Sequence, residues 1–588
     1  MPPLTDDEWA EMALELPDMD SSVIQKYLQN REALISEEKK QRSDYSFRQG
    51  LSPIAKKACE IVSRIRAEEM QTTWTSALEE ELAQQMTTTV FPGMMFSLAK
   101  EKMESTKLWK IVTRMPKGAL LHAHCDAMVD FDYLLELVLN TPGMHVACHT
   151  SHLATAEARK EQVVDIVFRA AANTSSSLWK EDYVPGTFVL MTQAAHEFPE
   201  GGRAGFLQWL KSRCIINQTD AVEQHHGVAE IWRKFVKCFE AIGAIIHYEP
   251  IWRAFLQRLM NQLVADGVYW VEIRFAWPLN YCREGSEVPE PDYNHMFQVI
   301  EEEVAKFQAT EAGEPFWGLR MIWTTLRGLG TRSVVENMDD CITTKMAWPH
   351  LLAGYDLVGP EDVGRPLADL LPELFWFRKQ CAQEGVNIPF FFHAGETLGD
   401  GDSTDNNLFD ALLLGTRRIG HAFSLFKHPR LIEAVKDKRI LVESCPISNE
   451  ILRLTGSIQQ HPLPALLARG VPCSLCNDDP AILGQGTEGM SHDFWQALQG
   501  WENLGLAGLG SLAENSVRWA AFEDQDTEAW TRDVRSASVG AGIKSARLRQ
   551  WAVQWEHFCL WIVTEYGDKY GDGVDDVVGA GGLEKNQA

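Results

Sequence analysis

Eight short apolar runs recur between residues 118 and 477, and helical stretches separate most of them. They are GALLHAH (118–124), VYWVEIR (268–274), GLRMIW (318–323), LAGYDLVG (352–359), IPFFFHA (388–394), RIGHAF (418–423), RILVES (439–444) and VPCSLCN (471–477). Runs of this length suit strands buried on both faces, and strands alternating with helices build a parallel sheet. Eight such units predict the α/β class and a (β/α)₈ barrel. The spacing is uneven. About 140 residues lie between the first run and the second, so the stretch from about 140 to 230 is an insertion after strand one. The loops at the C-terminal ends of barrel strands surround the site, and this insertion is expected to cover or shape the pocket.

The remainder of the 588 residues divides around that unit. Residues 1–110 carry helical apolar spacing, as in VIQKYLQNREALISEEKKQ and IAKKACEIVSRIRAEEM, and are expected to be a helical cap or an oligomerisation element. Residues 111–565 hold the barrel with its insertion. Residues 566–588, YGDKYGDGVDDVVGAGGLEKNQA, are poor in large apolar side chains and are expected to be a disordered tail. The formal net charge of -27 argues against a nucleic-acid partner, whose phosphates call for a basic surface. No apolar run reaches membrane-spanning length, so no membrane partner is expected. The acidic start MPPLTDDEWAEMALELPDMD has no basic and apolar signal pattern, and the 12 cysteines are scattered; both favour a cytoplasmic protein with reduced thiols.

Polar residues stand where these runs end. His122 and His124 close the first, two apart and therefore on one side of an extended strand. His393 closes the fifth with Glu396 just beyond, His421 closes the sixth, and Asp478 and Asp479 follow the eighth. Taken singly each has an ordinary explanation: a hydrogen-bonded histidine pair, a core histidine, an Asp-Asp-Pro helix start. Taken together, three histidines and a carboxylate at strand ends one, five and eight converge on the barrel axis. Neutral imidazoles and a carboxylate are zinc ligands, and a catalytic zinc keeps one position for water. Glu396 and His421 are then available as acid and base, and Ala394 and Gly395 are expected to be small to leave space for a substrate. A rival zinc signature, His247-Tyr248-Glu249 with Pro472-Cys473-Ser474-Leu475-Cys476, is split by more than 200 residues. Cys473 and Cys476 are expected to pack on or beside the last strand.

MPKGALLHAHCD, YDLVGPED, FFHAGET, DNNLFDALLLGTRRIGHAFSLFKHP, CPISNEILRL and NDDPAI, in this order, resemble the adenosine deaminases, and in particular the adenosine deaminase growth factor branch, also called adenosine deaminase type 2. The likeness runs from about residue 105 to 525. It implies a zinc-dependent hydrolytic deamination of adenosine or 2′-deoxyadenosine on a barrel of the metal-dependent hydrolase type, with one zinc per chain. By resemblance His122, His124, His393 and Asp478 match the metal ligands. Glu396 matches the acid that protonates purine N1, His421 the group that orients and deprotonates the attacking water, and Asp479 the carboxylate at N7. Gly359 matches the glycine whose N–H meets N3, Asp126 the carboxylate near the ribose 5′-hydroxyl, and Trp232 a tryptophan near the nucleoside. The resemblance also implies a homodimer through the N-terminal helices. The branch is often secreted and disulfide-bearing, whereas this sequence shows no signal, and Cys148 and Cys214 of the insertion have no evident pairing. Two other functions stay open: deamination of AMP or a modified adenine nucleoside, and a catalytically idle nucleoside-binding or signalling protein. For a phosphate the candidate cation is Arg327, after strand three, whose plainer role is that of a surface arginine.

Overall fold

In the computed structural model, residues 4–85, 96–171, 176–217, 227–243, 245–277 and 280–571 are described. Eight parallel strands form the centre: β1 Gly118–His124, β2 Val268–Ala276, β3 Gly318–Leu326, β4 Leu352–Val358, β5 His393–Ala394, β6 Arg418–His421, β7 Leu441–Ser444 and β8 Cys473–Leu475. They pair in chain order as two four-stranded sheets, β1 to β4 and β5 to β8. Two parallel bridges join the sheets. Tyr355 of β4 pairs with Phe390, and Ala123 of β1 pairs with Asp478, three residues past β8. The sheet is thus closed into the expected barrel. The fifth run keeps a regular ladder only at His393–Ala394; Phe392 N donates to Thr416 Oγ1 and His393 N to Asp356 Oδ1 rather than to strand carbonyls. Upstream, the Pro389 carbonyl accepts Tyr355 N, and Phe391 N returns a bond to Tyr355 O.

Barrel interiors are usually filled by branched apolar side chains. Here Glu272 and Arg274 of β2, Asp356 of β4, Arg418 of β6 and Glu443 of β7 are all fully buried. They satisfy one another in a chain. Arg418 bonds Glu272 at 2.7 Å and also Glu443, and Arg274 bonds Glu443 and Asp356 at 2.8 Å each. The Arg418 guanidinium lies 4.0 Å from the centre of the Phe391 ring, so its face is covered as well.

After β1 the chain builds a small antiparallel sheet of Asp165–Phe168, Met144–Ala147 and Val189–Leu190, in that spatial order. Helices Gly202–Cys214 and Gly227–Ile242 follow it, and helix Glu249–Ala265 leads into β2. At the N-terminal end, helix Pro53–Thr72 starts on a Ser52 cap with proline in its first turn. It buries Ala58, Ile61 and Ile65, and it packs against the long C-terminal helix Ile543–Tyr570. The helices before it, Asp6–Glu15 and Ser22–Gln41, bury no residue. The C-terminal helix runs beyond residue 566, where the tail was expected to begin; residues 572–588 of that tail lie outside the described residues. Among the described residues no helix is long and apolar enough to cross a membrane.

Candidate active site

The strand ends bring His122, His124, His393 and Asp478 together. One ligand atom from each lies within 4.8 Å of the other three. Asp478 Oδ1 is 3.3 Å from His122 Nε2 and 3.3 Å from His124 Nε2. Tetrahedral zinc bonded to nitrogen and oxygen at about 2.0–2.1 Å has ligand–ligand edges of about 3.3 Å. His122 Nε2 and Asp478 Oδ1 are also buried without a hydrogen-bond partner, as groups awaiting a cation would be. The residues present therefore fit a zinc ion.

Their orientation comes from the ionic barrel interior. Glu443 Oε2 meets His122 Nδ1 at 2.8 Å, and Asp356 Oδ2 meets His393 Nδ1 at 2.6 Å. Each carboxylate fixes which ring nitrogen is left to face the cage, the usual arrangement behind a metal-bound histidine. Burial opposes charge on Asp356, but His393 and Arg274 hold its carboxyl far below the usual range. The same conflict at Glu443 is won by Arg274 and Arg418. Burial pushes His393 down to about 3, which keeps the imidazole neutral and able to ligate. Burial opposes charge on Asp478, but its carboxyl is held well below the ordinary range by the histidines around it, His421, His122 and His124, and Ser448 Oγ donates to its Oδ2 at 2.7 Å.

Space is arranged as carefully as charge. A Cβ at Gly420 would stand 2.6 Å from His122 Cε1 and 3.0 Å from its Nδ1, so β6 must carry glycine there. His421 and Ala422 follow with φ of 61° and 45°, and Asp478 has φ 57°. Three non-glycine residues in the left-handed region at one site are a mark of function, since the surrounding contacts must hold them there. Gly395 corrects an expectation. Its φ is +76°, and a Cβ would strike Leu408 and Ser424 at 2.9 Å, so the backbone and its packing require glycine rather than the room a substrate needs.

The remaining groups ring the cage. His421 Nδ1 is 3.4 Å from Glu396 Oε1 and 3.3 Å from Asn449 Nδ2, while its Nε2 is buried, unpartnered and 3.7 Å from Asp478 Oδ2. Burial holds His421 well below the ordinary imidazole range, leaving a free base. Burial, then Asp478 and Glu361, push the Glu396 carboxyl well above the ordinary range, leaving a proton to donate. Asp479 is raised likewise by burial and by Asp478, and its Oδ1 has no partner. Asp126 sits in the turn Cys125–Ala127 after β1, with Oδ1 unpartnered and its pKa raised by burial to about 7. Gly359 has φ +104° just past β4. Trp232 lies on helix Gly227–Ile242 and is linked to the cage by rings: Trp232 to Phe235 at 5.4 Å, Phe235 to Phe239 at 5.2 Å, Phe239 to His124 at 6.5 Å.

Sequence reasoning missed Phe239, Asp356, Glu443, Asn449 and Ser448. An acid inside an otherwise apolar strand, Asp356 in LAGYDLV and Glu443 in LVES, was the available signal. Arg327 is corrected outright: it is 1% exposed, and its Nη2 donates to Leu357 O and His393 O, so it is no surface arginine. Neither His247 and Glu249 nor Cys473 and Cys476 belong to a metal-holding group among the described residues. Cys473 and Cys476 are buried beside β8, and His247 is buried against Phe275. Cys148 and Cys214 of the insertion are free thiols.

Known proteins bear on this arrangement. A family model described as adenosine deaminase matches residues 216–536. Adenosine deaminase 2-A of Danio rerio is 30% identical over 447 residues, 74% of this chain and 82% of that protein. Adenosine deaminase 2 of Homo sapiens is 30% identical over 488 residues, 82% and 86% of the two chains. Among solved structures, an adenine deaminase from Arthrobacter aurescens superposes with a TM-score of 0.46 at 17% identity, covering 76% of this chain and 99% of its own.

Proposed function

The chain belongs to the adenosine deaminase family, and from that premise we propose that it converts adenosine or 2′-deoxyadenosine and water to inosine or 2′-deoxyinosine and ammonia, with one zinc per chain. The observation that carries this reading is the four-atom cage with a protonatable carboxyl and a neutral imidazole, Glu396 and His421, at its edge. His122, His124, His393 and Asp478 would hold the ion. A zinc held there would lower the pKa of a water toward about 7. His421, through Nε2, would orient the attacking water and take a proton from it. Glu396 gives a proton to purine N1, which makes C6 electrophilic. Asp479, kept protonated by burial, donates to N7. In this reading Asp126 accepts from the ribose 5′-hydroxyl, the Gly359 N–H meets N3, and Trp232 borders the nucleoside through the file of rings that ends at Phe239.

The alternative of AMP loses the cation considered for it, since Arg327 is buried and committed to two carbonyls. The carboxyl at the proposed 5′ end, Asp126, would repel a phosphate. Two further parts of the proposal rest on the outer structure. A homodimer through the N-terminal helices is supported by apolar side chains left in solvent there, Leu14 at 88% exposure and Leu34 at 74%. A cytoplasmic location is supported by free thiols at Cys148 and Cys214 of the insertion and at Cys445, Cys473 and Cys476 of the barrel.

The test is ammonia release from adenosine, 2′-deoxyadenosine, AMP and N6-substituted adenosines, with zinc measured in the same preparation. Adenosine turnover at one zinc per chain is expected, and Glu396→Gln should lower kcat by more than about 10²-fold. Preference for AMP, or unimpaired turnover by the variant, would overturn the assignment.

A further inference from the structure

The acid of the reaction is aimed by a turn, and the turn is gripped by a neighbouring loop. Glu396 follows β5, in a stretch whose backbone N–H groups point away from any sheet partner. Glu361, from the loop that follows β4, meets them. Its Oε2 accepts Gly395 N at 3.2 Å and its Oε1 accepts Glu396 N at 3.0 Å. Oε2 also accepts Asn407 Nδ2 at 2.7 Å and lies 3.7 Å from Arg327 Nη1. The next residue continues the grip, with Thr397 Oγ1 donating to Asp362 Oδ1 at 2.5 Å. Two consecutive acids of one loop thus hold three consecutive residues of the next.

This loop is itself anchored. Arg327, immediately after β3, binds Leu357 O and His393 O, and the loop wraps over its stem. A Cβ on Gly364 would stand 2.6 Å from Arg327 Cγ, so the wrap is as tight as glycine allows. Asn407 adds a second tie, its Oδ1 accepting Leu367 N at 2.7 Å. Glu361 is 2% exposed, and each of its oxygens has a donor. A buried carboxylate is a costly way to hold a turn unless its bonds are worth their desolvation. Charge-assisted bonds to backbone N–H groups are short and directional, which suits fixing an orientation.

We propose that Glu361 is a positioning residue for the general acid: it sets the Gly395–Glu396 turn and so the line along which the Glu396 side chain reaches the purine. The proposal rests on the reading of Glu396 as the N1 proton donor. Glu361 touches no metal ligand side chain in the contacts described above, and it stands two residues beyond Gly359, the proposed N3 contact. One loop would therefore hold the ring from one edge and the acid that serves it from the other. A negative charge beside Glu396 also disfavours ionisation of the acid, in keeping with its raised pKa.

The experiment compares Glu361→Gln with wild type in the zinc-loaded full-length protein. The amide keeps the shape and one acceptor, and turns an NH₂ toward a donor it used to accept. The expected result is a kcat lowered by about 10- to 100-fold, since misplacement by about 1 Å is enough for that. KM for adenosine, the Kd of inosine, zinc content and Tm should stay near wild type, the pattern of an interaction realised in the transition state. Thr397→Val, isosteric and at the second grip, should lower kcat less, and it carries the test if Glu361→Gln does not fold. Glu396→Gln run alongside separates the two ideas. If it is inactive while both neighbours keep full kcat, the positioning role is overturned and the acid assignment stands; if it remains active, the acid assignment itself falls. A loss of kcat that follows zinc content and Tm downward would also overturn the proposal, because it would describe a merely structural residue.

Discussion

The barrel interior and the first forty residues treat water in opposite ways. Inside, Glu272, Arg274, Asp356, Arg418 and Glu443 are removed from it entirely. Along the first two helices, Trp9, Leu14, Tyr27 and Leu34 are left in it. Both arrangements are unfavourable for a chain that has only to fold. The buried charges are matched partner for partner, and the chain they form ends on the two ring nitrogens that turn His122 and His393 toward the cage. Among the described residues the exposed apolar side chains have no such match, since neither helix buries any residue. One region spends folding free energy to orient a site. The other leaves apolar side chains in solvent, and the proposed dimer rests on them.

The largest expected effect comes from breaking the charge chain at its most connected point. Glu443→Gln would leave Arg274 and Arg418 short of a counter-charge, and removing one partner of a buried pair costs about 3–5 kcal/mol. Denaturant unfolding should show that loss, and zinc should leave about 10- to 100-fold more readily in chelator competition. A variant as stable as wild type would mean that the interior charges are incidental. Next in size is removal of the metal. Asp478 and its three histidines lose the cation that compensates them, so the metal-free protein should melt earlier by an amount that zinc restores. Saturation at about 100 times Kd contributes about 2.7 kcal/mol. An unchanged Tm would sink the four-ligand assignment. The smallest effect on the single chain, and the sharpest on the contrast, is expected from Leu14→Asp with Leu34→Asp. Sedimentation should shift from dimer to monomer, while chain stability moves by no more than about 0.5 kcal/mol. A dimer that survives both changes would place the interface elsewhere.

The strands and the cage were legible because they depend on local pattern. A short apolar run marks a strand wherever the strand sits, eight of them leave little choice of topology, and three of them close on a histidine. What could not be read depends on closure. Arg274 and Glu443 are far apart in sequence, and only the finished barrel shows that one guanidinium serves the carboxylates behind both His122 and His393. Arg327 was misread for the same reason: a residue after a strand is exposed or buried according to the loop that folds over it, and that loop comes from the next unit. The aromatic file from Trp232 to Phe239 belongs to an insertion whose docking no periodicity encodes.

Gly420 carries a consequence of its own. The ring of His122 occupies ground that any side chain at position 420 of β6, across the barrel, would claim. Transplanting the constellation into another barrel would therefore mean copying a gap along with the ligands. A graft that reproduced every donor atom but filled that gap would have the right chemistry and nowhere to put it.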